Sequence, residues 1–298
     1  MAEFDVLVVG DANPDLLLRG DVRPRFGQEE QLLTAADLVL GGSAAITAAG
    51  CARLGLRTAL LAAVGDDVFG SVTRGHLAER GVHLLPADNR GAPTGLTVVL
   101  SEPADRGMLT LPGTIPALRP GDVTDELLAR ARHVHVASLY LQPELAAGLA
   151  GVFARAHATG LTTSLDTNWD PAGAWASIAE ILAHTDVFLP NAAELAAITG
   201  ESDPAAAAAE LGTTVVMKDG ARGARAWWPG GATAAPGRPV EVVDTTGAGD
   251  SFNAGFLAAR LSGRPIEEAV AWAAAAGSLS TRAPGGTAAQ ATPTDLGA

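Results

Sequence analysis

The sequence predicts an α/β protein, a doubly wound and mostly parallel sheet flanked by helices, with a small β lid set apart from it. Three observations carry this expectation. Short, continuous apolar runs recur along the 298 residues and alternate with longer stretches of helical pattern, the arrangement that builds a parallel sheet covered on both faces. Two segments, 16–40 and 94–111, break the alternation and read as extended, partly polar chain with Gly and Pro interruptions. No internal repeat is present, so a solenoid is not indicated.

The elements follow in order. The run Val6–Val9 ends at Gly10 and reads as a strand buried on both faces. Similar runs at 58–64, 133–137, 162–165, 187–189 and 214–217 predict further strands. Helical stretches lie at 43–54, 70–80, 125–131, 144–158, 174–184, 192–199 and 204–211, and another pattern, rich in alanine, begins at 247–249. In such sheets ligands bind outside the C-terminal ends of the strands. The two irregular segments, with strand-like stretches at 97–100 and 108–111, read either as a lid or as surface hairpins with no ligand role.

Composition narrows the function. With 33 acidic against 20 basic residues the net charge is −13, which argues against sequence-independent binding to nucleic acid or to an anionic membrane and points to small-molecule partners. The run 271–279 is too short and too rich in small residues to span a bilayer. Two acids precede the first apolar run, where a secretory signal would be basic, and Cys51 is the only cysteine, so no internal disulfide is available; both fit a cytoplasmic protein. His133 and His135 alternate on a strand-like run and read as structural; no His/Cys cluster has zinc spacing. Hydrolase and dehydrogenase readings lack a Gly-x-Ser-x-Gly elbow and a Gly-x-Gly-x-x-Gly after the first strand.

The segment Asp244-Thr245-Thr246-Gly247-Ala248-Gly249-Asp250 holds the clearest chemistry. Its glycines let the chain turn tightly and leave amides uncovered where a helix begins, a place that favours phosphate oxygens, with a carboxylate beside them. Taken alone, Asp250 reads first as a helix-capping or dipole-stabilising acid, which is what an isolated Gly-Ala-Gly-Asp usually means. Other pairs are as open locally. Gly41 and Gly42 enter a helix of small residues, Asn13 and Asp15 follow the first strand as turn residues would, Asn191 and Glu194 could form a capping box, and Gly220 and Gly223 could be hairpin glycines.

Together these segments resemble the ribokinase-like (PfkB) carbohydrate kinases. The stretch from Asp244 through Phe252 is similar to that family's C-terminal signature without a break, and Gly41-Gly42 through Ala52-Arg53-Leu54-Gly55 resembles its N-terminal one. The resemblance runs from Gly10 to Gly286 in family order and implies a single kinase domain over 1–298 with lid segments 16–40 and 94–111. It implies an ATP- and magnesium-dependent transfer to a primary hydroxyl of a small sugar, with Asp250 as base and Gly247, Ala248 and Gly249 as anion hole. Asn13, Asp15, Gly41, Gly42 and Ile46 are the implied substrate residues; Asn191, Lys218, Gly220, Gly223, Thr245, Gly247 and Gly249 the implied ATP residues. Glu194 would act on magnesium through water, Asp244 and Thr246 would bind a monovalent cation such as potassium, and the lid would close over the sugar and form a homodimer contact.

Two positions depart from the pattern. Ile46 stands where the family usually has Asn, and Asp170 where it usually has Arg two residues after Asp166-Thr167-Asn168. An apolar Ile46 leaves room for a nucleoside kinase of the same fold. A phosphosugar kinase would need Arg19, Arg23, Arg25 or Arg106 near the substrate, and a non-catalytic sugar- or nucleotide-binding protein would have no use for Asp250.

Overall fold

Val6–Val9 (β1) is buried along its whole length and lies inside a nine-stranded sheet. The computed structural model describes residues 2–102, 106–176 and 178–297; residues 103–105 of the expected lid segment and Ser177 of the expected helix 174–184 lie outside the described residues. After β1 come Asn13–Gly20 (β2), Leu33–Gly41 (β3), Ser43–Arg53 (α1), Thr58–Ala63 (β4), Val68–Glu79 (α2), His83–Ala87 (β5), Leu96–Ser101 (β6) and Arg106–Leu111 (β7). The middle of the chain supplies Asp125–Leu128 (α3), His133–Val136 (β8), Pro143–Ala158 (α4), Thr162–Leu165 (β9), Ala179–Leu182 (α5), Val187–Phe188 (β10), Ala192–Thr199 (α6) and Pro204–Leu211 (α7). Thr214–Lys218 (β11), Ala224–Trp228 (β12), Gly231–Ala235 (β13), Ala248–Leu261 (α8) and Ile266–Ser280 (α9) complete it.

The large sheet has the order β13-β12-β11-β10-β9-β8-β1-β4-β5. Its strands from β11 to β5 are parallel, and β12 and β13 add an antiparallel hairpin at one edge. The chain leaves β1 first toward β4 and β5, then returns to β8 on the other side. The sheet order therefore reverses between β1 and β8, and the crevice outside their C-terminal ends is where such a fold binds ligands. Helices α1, α2, α8 and α9 cover one face and α3 to α7 the other, each over its own apolar core.

A second sheet, ordered β3-β2-β6-β7, forms the expected lid. It begins at Asn13, three residues before the expected boundary, so one strand carries substrate candidates at its base and lid residues above. Alternation sorts its side chains: Asp15, Thr97, Val99, Met108 and Thr110 face the crevice, while Leu16, Leu38, Val98 and Leu109, in register across all four strands, face away.

Three elements differ from expectation. β5 is an edge strand, partly exposed and carrying Pro86, and so lacks a continuous apolar run. The β12–β13 hairpin is short and rich in Trp, Ala and Gly, with no period to mark it. The expected helix 174–184 is helical only at Ala179–Leu182. The Asp170 carboxylate accepts the N–H groups of Ala172 (2.9 Å) and Trp175 (2.7 Å) and folds 170–175 into a loop, with Trp175 at φ 46°.

Small residues set the spacing on the α1, α8 and α9 side. A Cβ on Gly50 of α1 would lie 2.7 Å from the Cβ of Ala254 in α8, and one on Gly255 would lie 2.7 Å from that of Ala276 in α9. The three helices thus approach closely, and α1 and α8 both begin at the crevice. Among the described residues no helix is long and apolar enough to cross a membrane.

Candidate active site

The crevice is a cleft of about 660 Å³ roofed by the lid, and its floor is the start of α8. Gly247 precedes that helix at φ 70°, a left-handed conformation suited to glycine, and a Cβ there would lie 2.5 Å from Gly286 Cα and 3.0 Å from Ile46 Cγ2. The Ala248 N–H turns back to the Thr245 carbonyl at 3.2 Å. The next amides, of Gly249 and Asp250, belong to the first helical turn, which has no intrahelical acceptors, and they carry the partial positive charge of the helix start.

Asp250, in that first turn, is buried and lines the cleft. Burial, reinforced by the nearby Asp166 charge, raises its pKa well above the ordinary carboxylate range, with Lys218 pulling the other way. Beneath it, Lys218 Nζ donates to Asp166 Oδ2 and to the Leu189 carbonyl, both at 2.5 Å, and Asn253 Nδ2 donates to the same Asp166 oxygen at 2.6 Å. The aliphatic stem of Lys218 runs under Gly249, where a Cβ would lie 3.5 Å from its Cδ.

The expected substrate residues meet on the opposite wall. Asn13 Nδ2 donates to Asp15 Oδ1 at 3.1 Å, and both side chains are buried. Burial, with the Asp11 charge adding to it, pushes the Asp15 carboxyl up to about 7. Gly41 makes room for that carboxylate, since a Cβ would stand 2.0 Å from Asp15 Oδ1. Gly42, at φ 84°, caps α1 beside the Asp11 carbonyl. Ile46 borders the cleft but is almost wholly buried, wedged against Gly247 and Gly286, where a Cβ on Gly286 would come within 2.5 Å of its Cδ1. The departure at Ile46 thus packs under the α8 loop.

A second cavity, of about 650 Å³, lies on the far side of the α8 start and is lined by Gly220, Gly223, Val240, Val242 and Phe252, among others. Asn191, Lys218, Thr245, Ala248 and Gly249 border both spaces, so the two open onto each other at the helix start. Gly220 (φ 56°) and Gly223 (φ 100°) form the turn from β11 to β12; they are hairpin glycines that also line this cavity. Asn191 and Glu194 form a reciprocal capping box on α6 and also border the cleft. Burial and the Asp166 charge push the Glu194 carboxyl up to about 7. Asp244 faces the other end of the loop. Burial pushes its carboxyl up, but N–H bonds from Gly285 and Thr246, each 2.8 Å, outweigh this and hold it below its ordinary value.

Several cleft residues lay outside the expected site, Asp166 and Asn168 among them although their Asp-x-Asn step matched the family pattern. Asp11 accepts the N–H groups of Ser43 (3.2 Å) and Ala44 (2.9 Å), charging the α1 start; an acid at the end of β1 was the available signal. Asp166 and Asn168 lie under the cleft, where Asn168 bonds Ser43 Oγ and the Ser138 N–H. Trp169 stands exposed at the mouth, edge-on to Trp175 with ring centroids 4.9 Å apart. His133 and His135 are structural, as expected: both bond Ser164 Oγ, and burial pushes them down to about 3 and about 4.

The sequence matches the pfkB family carbohydrate kinase profile over residues 4–294. It is 33% identical to the ATP-dependent ribose-1-phosphate kinase of Halopiger xanaduensis, over 92% of this chain and 90% of that one. It is 29% identical to the ribokinase of Bacillus subtilis, over 93% and 92%. The structure superposes on Arabidopsis thaliana ribokinase, solved with ribose and ATP, with a TM-score of 0.84, 27% identity, and coverage of 99% and 98%.

The elevated Asp15 carboxyl has a stability consequence. Its folded pKa of about 7 lies above the ordinary 3.8, so the stability it contributes is present below the ordinary value and is lost as pH rises through about 7. Asp15→Asn, which cannot ionise, should therefore stabilise the protein at about pH 8, on the order of 2–4 kcal/mol, and change little at about pH 4. Thermal unfolding at the two pH values checks this; equal or lower stability of the variant at the higher pH contradicts it.

Proposed function

The chain belongs to the pfkB family of carbohydrate kinases, and we propose that it transfers the γ-phosphoryl group of ATP to a primary hydroxyl of a small sugar, with Asp250 as the base. The observation that carries this reading is the position of Asp250 in the first turn of α8, where the sugar-side cleft and the second cavity meet. The curated relatives phosphorylate ribose or ribose 1-phosphate by name, and the Arabidopsis enzyme was solved with ribose and ATP. Neither a nucleoside kinase nor a non-catalytic binding protein is favoured by them.

In this reading the sugar lies in the cleft under the lid, with Asn13 and Asp15 holding its hydroxyls. Asp15 suits a polyol because a carboxylate accepts from several O–H donors. ATP takes the second cavity, its γ-phosphate directed at the start of α8. Asp250 receives the proton as the hydroxyl oxygen attacks, a contribution typically worth about 10²–10⁴ in rate. The amides of the glycine loop stabilise charge on the transferred group, which with positioning supplies most of the remaining acceleration.

Among the described residues no three acids, histidines or cysteines are grouped so as to hold a metal ion by themselves, so magnesium would be held here by one or two carboxylates together with the ATP phosphates. Asp166, Glu194 and Asp250 crowd around one ammonium, and the raised Glu194 and Asp250 carboxyls are in the state that a nearby cation would relieve. Glu194 would hold magnesium through water, and the ion when bound would neutralise phosphate charge. Asp244 and the Thr246 backbone are assigned to a monovalent cation beside the loop. If so, kcat should be higher in potassium chloride than in choline chloride of equal ionic strength, and Asp244→Asn should remove the difference; equal rates for the unaltered enzyme overturn the assignment.

The outward face of the lid fits a homodimer contact. Leu109 and Leu111 are more than half exposed there, continuing the row through Val98, Leu16 and Leu38. Leu109→Glu should yield a monomer by sedimentation where the unaltered chain sediments as a dimer; a monomeric unaltered chain would dispose of the lid contact.

Asp250→Asn should lower kcat by about 10² or more while ATP still binds in calorimetry. For the unaltered enzyme, kcat/KM should fall as pH drops through about 7, where Asp15 takes up its proton, and the raised Asp250 carboxyl, which must lose its proton to act, works in the same direction. Near-normal turnover by the variant would refute the base assignment, and a kcat/KM that holds down to about pH 5 would refute the raised Asp15 carboxyl.

A further inference from the structure

Of the four lid arginines, Arg106 alone borders the cleft. Arg19 pairs with Asp37, Arg23 with Glu102, and Arg25 with Asp21 and Glu29, each within the lid segments. Arg106 opens β7 on the same face as Met108 and Thr110 and reaches down to the loop before α8. Its Nη1 donates to Thr246 Oγ1 at 3.0 Å and Thr245 Oγ1 at 3.3 Å, and stands 3.9 Å from Asp244 Oδ1. Its charge also reaches Asp15, which it stabilises as a carboxylate against the effect of burial.

The balance of charge in the cleft makes this position informative. Asp11, Asp15, Asp166, Glu194 and Asp250 line it, and among the described residues that do so the cations are Arg106 and Lys218. Lys218 is held in the floor by Asp166 and the Leu189 carbonyl. The sugar side therefore has one guanidinium, delivered by the lid, with the hydroxyls of Thr97, Thr110, Thr245 and Thr246 also lining it. A neutral sugar is served by Asn13 and Asp15 alone. A guanidinium ringed by hydroxyls matches a phosphate monoester, which needs several donors and a compensating charge before it can enter an acidic cleft.

We propose that the substrate is a sugar that already carries a phosphate, and that Arg106, with the hydroxyls of Thr245 and Thr246, binds that group when the lid is down. The inference rests on the sugar-kinase reading of the cleft. The free primary hydroxyl forms a bond to the γ-phosphorus as the bond from that phosphorus to the β,γ-bridging oxygen breaks. ADP leaves, Asp250 takes the proton, and the phosphate already present is untouched, so the product is a sugar bisphosphate.

The test compares kcat/KM, with ATP and magnesium, for ribose, ribose 1-phosphate, fructose and fructose 6-phosphate in the unaltered enzyme and in Arg106→Gln. A preference for a sugar phosphate over its parent sugar is expected. Arg106→Gln should cut kcat/KM for that phosphate by about 10- to 100-fold more than for the parent sugar, chiefly through KM. Preference for the free sugar overturns the proposal. So does an equal fall in kcat for every substrate, which would place Arg106 on the transferred group instead. Calorimetric titration of each sugar phosphate without ATP separates the two levels of the argument. If no compound is phosphorylated, the kinase reading fails, and Arg106-dependent binding still supports the phosphate site while its absence overturns it.

Discussion

The ion pair between Lys218 and Asp166 is the constraint on which the cleft depends. Lys218 ends β11, Asp166 follows β9, and the Leu189 carbonyl that shares the ammonium follows β10, so one cation ties three adjacent strand ends. Asn253 attaches α8 to the same carboxylate oxygen. A buried pair of this kind gains little net stability over apolar packing, but removing one partner leaves the other uncompensated. Its structural effect here is to fix the floor under Gly249 and to leave Asp250 and Glu194 sharing a cation already committed. Burial, reinforced by the Asp166 charge, holds both carboxyls above their ordinary range, and Lys218 offsets this only in part.

The second constraint is spacing. Because α1 and α8 touch through Gly50 and Ala254, their first turns open side by side onto the crevice. Thr47 of α1 donates to the Asp250 carbonyl at 3.4 Å, and Asp11 accepts two N–H groups at the start of α1 while Asp250 sits in the first turn of α8. Ile46 fills the remaining gap against Gly247 and Gly286. The shape of the glycine loop before α8 thus depends on small residues farther along the two helices, as well as on its own glycines.

The parts of this protein legible in its sequence are those that depend on local pattern. Strands buried on both faces are continuous apolar runs, which is why β1, β4, β8, β9 and β11 could be read, and the glycine loop with Asp250 announces a helix start. An edge strand with a proline, such as β5, and a hairpin of Trp, Ala and Gly, such as β12–β13, carry no such period. The loop at 170–175 displaced the start of the expected helix 174–184 because one carboxylate, Asp170, captured two backbone amides, a choice that periodicity does not register. Candidate residues were found where they lay in the signatures. Which of the lid arginines turns into the cleft was not legible, because that depends on strand register and on which acid each one meets across the sheet.

Lys218 is the only lysine in the chain, and its side chain is 12% exposed at the end of an interior strand. A lysine-specific endoprotease consequently has one bond to cut, that between Lys218 and Asp219, and the folded sheet shields it. To expose that bond β11 must come away from β10 and β12, and the Asp166 pair must break. The chain thus contains its own reporter of unfolding at the floor of the cleft, since the cleavage rate counts how often this part of the sheet opens. Any ligand that binds across Lys218 and Asn191 should slow that count in proportion to how tightly it holds the floor closed.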